Sequence, residues 1–445
     1  MTTGPEGKRL GLLFVALFLI VLFLLGGGLL RGSAPAESLK YTGPGSCSST
    51  SCHGSVKPRG DSRVLQNEYS IWVVKDKHSK AFAALSTPVA ARMARILGLG
   101  KAEASPQCLA CHALDVPAAE RGRTFELSDG VSCESCHGPA AAWLGPHTTK
   151  DWTHEKSLAV GMYDTRDLVK RAEQCLSCHL GNREKFVDHE MIAAGHPDLY
   201  FELDSFSAVM PRHWKDPWDK DPWRGVREWG TGQAVQLREA LKRLAGRARG
   251  NVWPEYAELQ CFACHHNLTS TEQSWRQARG YSGRRPGDPP WNASRYAVFR
   301  ELVHLVDSET AQRLDAEIAR LTELMSRLNP DREAVAAAAT SSAGLADRLA
   351  PRLVAFPYDQ ALTLRLLQRI SANADTIAGH GERAAEQAAM ALESLFVTYA
   401  RNININNKDE VRAAINGLFQ LVENPSTYNP GQFARQLRKV STLVR

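Results

Sequence analysis

Apolar residues follow three different patterns along the 445-residue chain. Residues 10–30 form an uncharged, almost wholly apolar run, close to the roughly 20 residues that a helix needs to cross a bilayer. Beyond residue 296, apolar residues recur at helical spacing, as Leu314, Ile318 and Leu321 do, between Pro, Gly and Asn signals. The middle of the chain has neither pattern, and its pieces between Gly and Pro predict short helices and loops. The expected fold is therefore mainly α.

The N-terminus has the layout of an export signal. Lys8 and Arg9 precede the apolar run, and "APA" at Ala34–Ala36 resembles a signal-peptidase site. The run is longer than the roughly 7–15 residues of an ordinary signal core, which favours an uncleaved signal anchor with a transmembrane helix at residues 1–36. Cleavage after Ala36, giving a secreted protein, is the alternative. In both cases the basic flank stays inside, so the rest lies on the periplasmic, extracytoplasmic side of the inner membrane.

All ten cysteines lie in five short motifs, and a histidine follows each motif directly. Four motifs read C-x-x-C-H, the attachment signature of c-type haem; the first, "CSSTSCH", has four residues between its cysteines. Two thiols add across the two vinyl groups of one haem, and the next imidazole binds its iron. A wider loop still delivers both thiols if it bulges. We therefore predict five covalently attached haem c groups, held by Cys47, Cys52 and His53; Cys108, Cys111 and His112; Cys133, Cys136 and His137; Cys175, Cys178 and His179; and Cys261, Cys264 and His265.

Two other interpretations of the cysteines are weaker. Five disulfides are the default for ten cysteines in an exported protein, and paired C-x-x-C units form zinc ribbons. Neither explains the histidine after every pair. A thioredoxin-like redox site is disfavoured because no βαβ pattern surrounds the motifs.

The remaining histidines supply candidates for the second axial position. A bis-histidine iron needs one distal imidazole for each haem, and nine histidines remain beside the five proximal ones. His304 and His380 lie on predicted helices outside the haem region, and we expect them at the surface. The other seven lie within it: His78, His147, His154, His189, His196, His213 and His266.

The motif surroundings resemble a known family. "YTGPGSCSSTSCHGSV", "HSKAF", "GVSCESCHGPAAAWLGPH" and "CLSCHLG", over about residues 41–215, are similar to the cytochrome c554-type multihaem family and to the haem core of octahaem hydroxylamine-oxidoreductase-like proteins. The resemblance implies stacked and perpendicular haem pairs. It further implies that His78 serves the third haem, His147 the first and His154 the fourth; His196 and His213 are favoured for the others. The chain departs from the family's type member in having five motifs instead of four and in its C-x4-C-H first motif. That type member also leaves one haem iron five-coordinate.

The patterns divide the chain into four parts. We expect the signal anchor at 1–36, a pentahaem cytochrome c domain at 41–270, a Gly/Pro-rich linker at 271–295 and a C-terminal helical bundle at 296–445. The bundle packs against the haem domain or recruits a partner. The formal charge is +6, and the propionates of five haems change it to about −4. The basic composition therefore does not indicate an acidic partner, and the chain has no wider basic patch typical of nucleic-acid binding.

Many haems in one segment favour electron transfer. The expected function is that of a membrane-tethered, periplasm-facing pentahaem cytochrome. It would carry electrons between redox protein partners, such as a membrane quinol-oxidising complex or a soluble cytochrome. The alternative is an oxidoreductase in which one five-coordinate haem binds nitric oxide, hydroxylamine or nitrite. A structural subunit whose helical tail assembles a larger complex is compatible with the carrier role.

Overall fold

A computed structural model describes residues 40–60, 62, 64–215, 220–261, 264–265 and 289–444. Within these residues the chain is mainly helical, as predicted, and has no strand beyond two isolated bridges, Tyr41 with Arg121 and Leu259 with Trp291. No described helix is both long and apolar enough to cross a membrane. The predicted signal anchor at 1–36 and His266 lie outside the described residues. The proposed domain boundaries remain predictions.

The haem region is built from short helices. They are α1 Glu68–Lys75, α2 Ala81–Leu85, α3 Pro88–Ile96, α4 Pro106–His112, α5 Cys133–His137, α6 His154–Ala159, α7 Leu168–His179, α8 His189–Ala194 and α9 Leu203–Val209. Local signals explain several starts: Asp167 and Asp188 accept hydrogen bonds from the first backbone N–H groups of α7 and α8. Proline occupies the first position of α3 and α4, where no N–H is needed.

Longer helices follow. They are α10 Arg224–Ala248, α11 Ser294–Ala297, α12 Phe299–Val306, α13 Ser308–Met325, α14 Arg332–Ala355, α15 Gln360–Ala372, α16 Ala374–Gly379, α17 Glu382–Asn402, α18 Lys408–Val422 and α19 Pro430–Leu443. The predicted stripe of α13 is buried, with Leu314, Ile318 and Leu321 in the core. The helical spacing therefore marked the packed face correctly.

Helix α10 joins the two halves of the molecule. It packs against α14 and α17 on one side and against α7, which carries the fourth cysteine motif, on the other. Trp229 of α10 is fully buried, and one hydrophobic core runs from Leu176 of α7 to Val440 of α19. The C-terminal helices and the haem region consequently share a core, so the helices near the fourth and fifth motifs are supported from the C-terminal half.

Candidate haem sites

Six of the ten motif cysteines lie in helices that end at the motif histidine. Motifs two, three and four end helices α4, α5 and α7, so cysteines three residues apart project from the same side of each helix. The first motif is different because Pro44–Cys47 is a 3₁₀ turn. Its longer loop folds back on itself: the N–H of His53 donates to the carbonyl of Cys47 (3.2 Å), and that of Gly54 donates to Ser49 (2.9 Å). The four intervening residues thus form the bulge that a C-x4-C-H haem site requires.

A buried glutamate connects the first motif to the third. Glu134, inside "CESCH", is 2% exposed, and its carboxylate accepts the N–H groups of Thr42 (2.9 Å), Gly43 (2.7 Å) and Ala140 (2.7 Å). Gly43 has φ +82°, and a Cβ at this position would collide with the carbonyl oxygen of Thr124. These bonds hold the "YTGPG" segment against α5.

Thiols of different motifs consequently meet. The thiols of Cys47 and Cys133 lie close enough to perturb each other's pKa, and so do those of Cys111 and Cys178. The attachment points of haems one and three are therefore adjacent, as are those of haems two and four. All ten cysteines are free thiols, which is the state that haem attachment needs.

A single cavity of about 2700 Å³ runs between the first four motifs. Pockets for one drug-sized ligand have about 300–1,000 Å³, so this cavity has the volume of several such ligands. It is lined by the cysteines and histidines of motifs one to four, and by His78, His147, His154, His196 and His213. Apolar side chains such as Trp143, Phe201 and Met191 complete the wall, which suits the flat, largely apolar face of a porphyrin.

Four proximal histidines face a second imidazole at a common distance. A histidine nitrogen binds a transition-metal ion at about 2 Å, and the centroid of the imidazole ring lies about 1 Å beyond that nitrogen. Two axial imidazoles on one iron therefore have centroids about 6 Å apart. The separations found are 6.1 Å for His53 and His147, 6.1 Å for His78 and His179, 6.3 Å for His112 and His196, and 6.1 Å for His189 and His265. Each gap fits one iron.

The fifth proximal histidine, His137, lies near His213. Burial lowers the pKa of His137 to about 4, and the charge of His213 is the next cause. Burial likewise lowers the pKa of His179 to about 4. Both imidazoles are thus held neutral, which is the form that binds a metal.

Hydrogen bonds orient the paired imidazoles. A neutral imidazole has one N–H, so a ring whose Nδ1 donates leaves the Nε2 lone pair for a metal. Six rings have Nδ1 bonded to a fixed acceptor: His53 to Glu68 (2.9 Å), His78 to Asp76 (2.9 Å), His112 to the Ala81 carbonyl (3.0 Å), His147 to the Trp143 carbonyl (2.9 Å), His196 to the Pro197 carbonyl (2.7 Å) and His213 to the Pro211 carbonyl (3.2 Å). The hydrogen bond raises the pKa of His53, and the same holds for His78.

His78 lies opposite the fourth proximal histidine, whereas the resemblance had implied the third. Its backbone does adjoin the third motif, because its carbonyl accepts the N–H of Val131 (3.1 Å). Its ring points elsewhere: Asp76 accepts from both the backbone N–H (3.0 Å) and Nδ1 (2.9 Å) of His78. These two hydrogen bonds to Asp76 direct the ring towards His179.

His154 and His189 also differ from the expectation. His154 is a distal candidate for the fourth haem, but its Nε2 is hydrogen-bonded to Asp164 at 3.0 Å. In the six oriented rings, Nε2 is the nitrogen that remains free for a metal. His189, which was not favoured, faces His265 instead. In the sequence, the number of histidines was the one indication that His189 could be a distal ligand, since five haems need five distal histidines.

Comparisons with known proteins find similarity in the first part of the haem region. Residues 47–138 match the family model described as "Cytochrome c554 and c-prime". A curated relative, "Cytochrome c-554" of Nitrosomonas europaea, is 33% identical over 117 residues, which are 23% of this chain and 48% of the relative. The chain thus spans about half the length of the relative that it matches, and no solved structure matches. The predicted resemblance is confirmed over this segment: residues 47–138 are similar to the cytochrome c554-type family, and this similarity implies covalently bound haem c.

Proposed function

We propose that the protein is a pentahaem c-type cytochrome in which every iron has two histidine ligands, and that it carries electrons between redox partners. The family assignment supports a multihaem electron-transfer cytochrome. The observation that carries the finer proposal is the set of four imidazole pairs at 6.1–6.3 Å, with His213 beside His137 as the fifth.

Two histidines on each iron favour a carrier over a catalyst. The haem supplies a one-electron couple when bound, and the chain determines what else can approach it. Imidazoles fixed through Nδ1 leave no open axial position for a substrate, and the carboxylates Glu68 and Asp76 make His53 and His78 more basic ligands.

Contact between the motifs supports electron flow within the molecule. The adjacent thiols Cys47 and Cys133, and likewise Cys111 and Cys178, place the attachment points of two haem pairs side by side. Residues of the first four motifs all line the same cavity. Electrons would pass from haem to haem through this cavity and leave through a partner protein.

We further propose that the chain works at the outer face of the inner membrane, anchored by residues 10–30, and exchanges electrons with a quinol-oxidising complex or a soluble cytochrome. The basic flank and apolar run of the N-terminus support the anchor. Fractionation of cells that express the full chain tests it: the anchor predicts haem-stained protein in membranes, and release of a form lacking residues 1–36 would show cleavage.

Haem counting tests the pentahaem proposal. A pyridine haemochrome assay together with intact mass should give five haems per chain, and the double variant Cys47→Ser/Cys52→Ser should give four. A wild-type protein with four haems would show that the C-x4-C-H site is empty and would overturn the count.

One observation favours the alternative function at a specific haem. His213 is an electrostatic neighbour of His137, whereas the other four pairs have rings at 6.1–6.3 Å. If His213 leaves this iron, the third haem becomes the site for a small nitrogen compound. Nitric oxide added to the reduced protein separates the two functions: a spectral change indicates an open iron, and no change supports the carrier.

A further inference from the structure

The C-terminal helices bring one unusual carboxylate to the haem region. Glu382 is the first residue of α17 and is 1% exposed. Neither oxygen of its carboxylate has a hydrogen-bond partner in any other described residue. Burial without a partner strongly disfavours the ionised form of a carboxyl group, so Glu382 either binds a proton or depends on a positive charge nearby.

The nearest cation is already shared by other acids. Arg383 donates to Asp198 (2.9 Å) and to Glu386 (2.8 Å). Arg295 is the other cation that acts on Glu386. Asp198, Glu386 and Glu382 therefore share two guanidinium groups. Of these three carboxylates, Glu382 is the one without an ion pair.

Glu382 lies next to the fifth haem motif. Gln260, which directly precedes Cys261, donates from Nε2 to the carbonyl of His380 at 2.6 Å. Gly381 has φ +92°, and a Cβ there would lie 3.0 Å from Oε1 of Gln260. Burial raises the pKa of the Cys261 thiol to about 11, and the charge of Glu382 is the next cause. The α17 start thus contacts the segment that holds the fifth haem, and its carboxylate acts on the attachment point.

We propose that Glu382 is a proton-binding group coupled to the fifth haem, so that the C-terminal helices make electron transfer there proton-linked. The inference rests on the proposed function, because it needs an electron-accepting haem at Cys261 and Cys264. If the fifth site holds haem, a redox partner would supply the one electron that reduces it, and the carboxylate of Glu382 would take up one proton from solvent and become a carboxylic acid. The net charge of the site is then unchanged.

The direction of the coupling follows from electrostatics. The ferric centre contributes a positive charge that stabilises an ionised Glu382, and reduction removes it. Burial already raises the pKa of Glu382; its own backbone N–H and Arg383 oppose this, while Glu386 and Asp198 add to it. Reduction raises this pKa further, so the midpoint potential of the fifth haem should fall as the pH rises.

Among the described residues, two carboxylates and one tyrosine face Glu382, and burial also raises the pKa of one of them, Glu386. Asp198 and Glu386 are both paired with Arg383. Tyr428 packs beside α17, and burial raises the pKa of its hydroxyl, which donates to the Ala378 carbonyl at 2.9 Å. The tyrosine therefore stays neutral in both redox states.

Spectroelectrochemical titration of the holoprotein between about pH 5 and pH 9 tests the proposal. In the wild type, the midpoint potential of one haem should fall with increasing pH, and Glu382→Gln should remove at least half of that slope. Glu393→Gln is the matched control: it lies on the same helix about 16 Å further along, and one of its oxygens is also buried without a partner. The control should keep the wild-type slope.

Infrared difference spectra give a second measurement that needs no variant. With ¹³C-labelled glutamate, reduction of the wild type should produce a new protonated-carboxyl band. A variant with the wild-type slope, or a reduced wild type without this band, would overturn the proposal and assign any pH dependence to the propionates. A missing fifth haem in the haem count would instead overturn the proposed function.

Discussion

The imidazole rings of His53 and His147 lie nearly parallel, 9° apart in plane, with 6.1 Å between their centroids. The pairs His78/His179 and His112/His196 have the same spacing but cross at 89° and 90°. Two iron d orbitals can interact with the π systems of axial imidazoles. Parallel imidazoles would interact with the same one of these orbitals and separate the two in energy, whereas crossed imidazoles would leave the two orbitals nearly equal in energy. The chain therefore offers two electronically different kinds of bis-histidine site.

Removing His147 should open the first iron. His147→Ala is expected to convert one of five low-spin ferric signals into a high-spin signal, and to create nitric oxide binding, because no other imidazole faces His53 at ligand distance among the described ring contacts. Electron paramagnetic resonance (EPR) of the oxidised protein is the measurement. His154→Ala is the control, since its Nε2 is bonded to Asp164, and it should leave all five signals low-spin. A high-spin signal in the control would show that His154 is a ligand.

Glu68 should tune the first haem. Its carboxylate accepts from Nδ1 of His53 at 2.9 Å, which makes the ring a stronger donor and stabilises ferric iron. Glu68→Gln should therefore raise the midpoint potential of one haem by about 60 mV, the equivalent of one tenfold change for a one-electron couple. Potentiometric titration checks this, and an unchanged or lowered potential would contradict the ligand role of His53.

Glu134 should be essential for the stability of the first and third motifs. Glu134→Ala leaves the N–H groups of Thr42, Gly43 and Ala140 without their acceptor, and we expect the free energy of unfolding to fall by about 3 kcal/mol. Chemical denaturation of the holoprotein measures the loss. Asp151→Ala, at an exposed position of the same region, should change stability little. Equal effects of the two variants would show that the buried bonds do not stabilise the fold.

Asp315 should make the C-terminal helices sensitive to acid. Burial alone would raise its pKa, but hydrogen bonds from Arg300, Tyr296 and His304 outweigh burial and lower it. Stabilisation by such a group is present above the pKa of the unfolded chain, about 3.9, and is lost as the pH falls through the folded value.

Asp315→Asn should consequently lower the free energy of unfolding by about 1–2 kcal/mol at pH 7. The difference should shrink as the pH falls below the unfolded value of about 3.9 and through the lower pKa of the folded state. Unfolding curves across this pH range provide the check. Asp375→Asn, whose side chain is 83% exposed, should show no such dependence, and a pH-independent loss in Asp315→Asn would point to packing instead of charge.

The sequence alone identified the chemistry because that chemistry is local. Each attachment motif places two thiols and an imidazole within a few residues, so spacing suffices to predict its chemistry. The mainly helical fold followed from apolar spacing, as at Leu314 and Ile318, which are buried in α13. Even the irregular "CSSTSCH" loop closes through neighbouring backbone atoms of Cys47 and His53.

The pairing of distal with proximal histidines depends on tertiary structure and could not be predicted from the sequence. His189 and His196 are close in sequence, but α8 ends between them at Gly195, which has φ +115°. This turn directs one ring to His265 and the other to His112. Likewise Asp164, ten residues after His154, decides which nitrogen of that ring is free. No spacing rule distinguishes these cases.

Low-temperature EPR of the fully oxidised holoprotein shows whether all five irons have two histidine ligands, as we propose. Low-spin ferric signals alone are expected, integrating to five spins. One should be rhombic, from the parallel pair His53/His147, and others strongly anisotropic, from the crossed pairs. A stoichiometric high-spin signal in the wild-type protein would contradict the claim and identify an open iron.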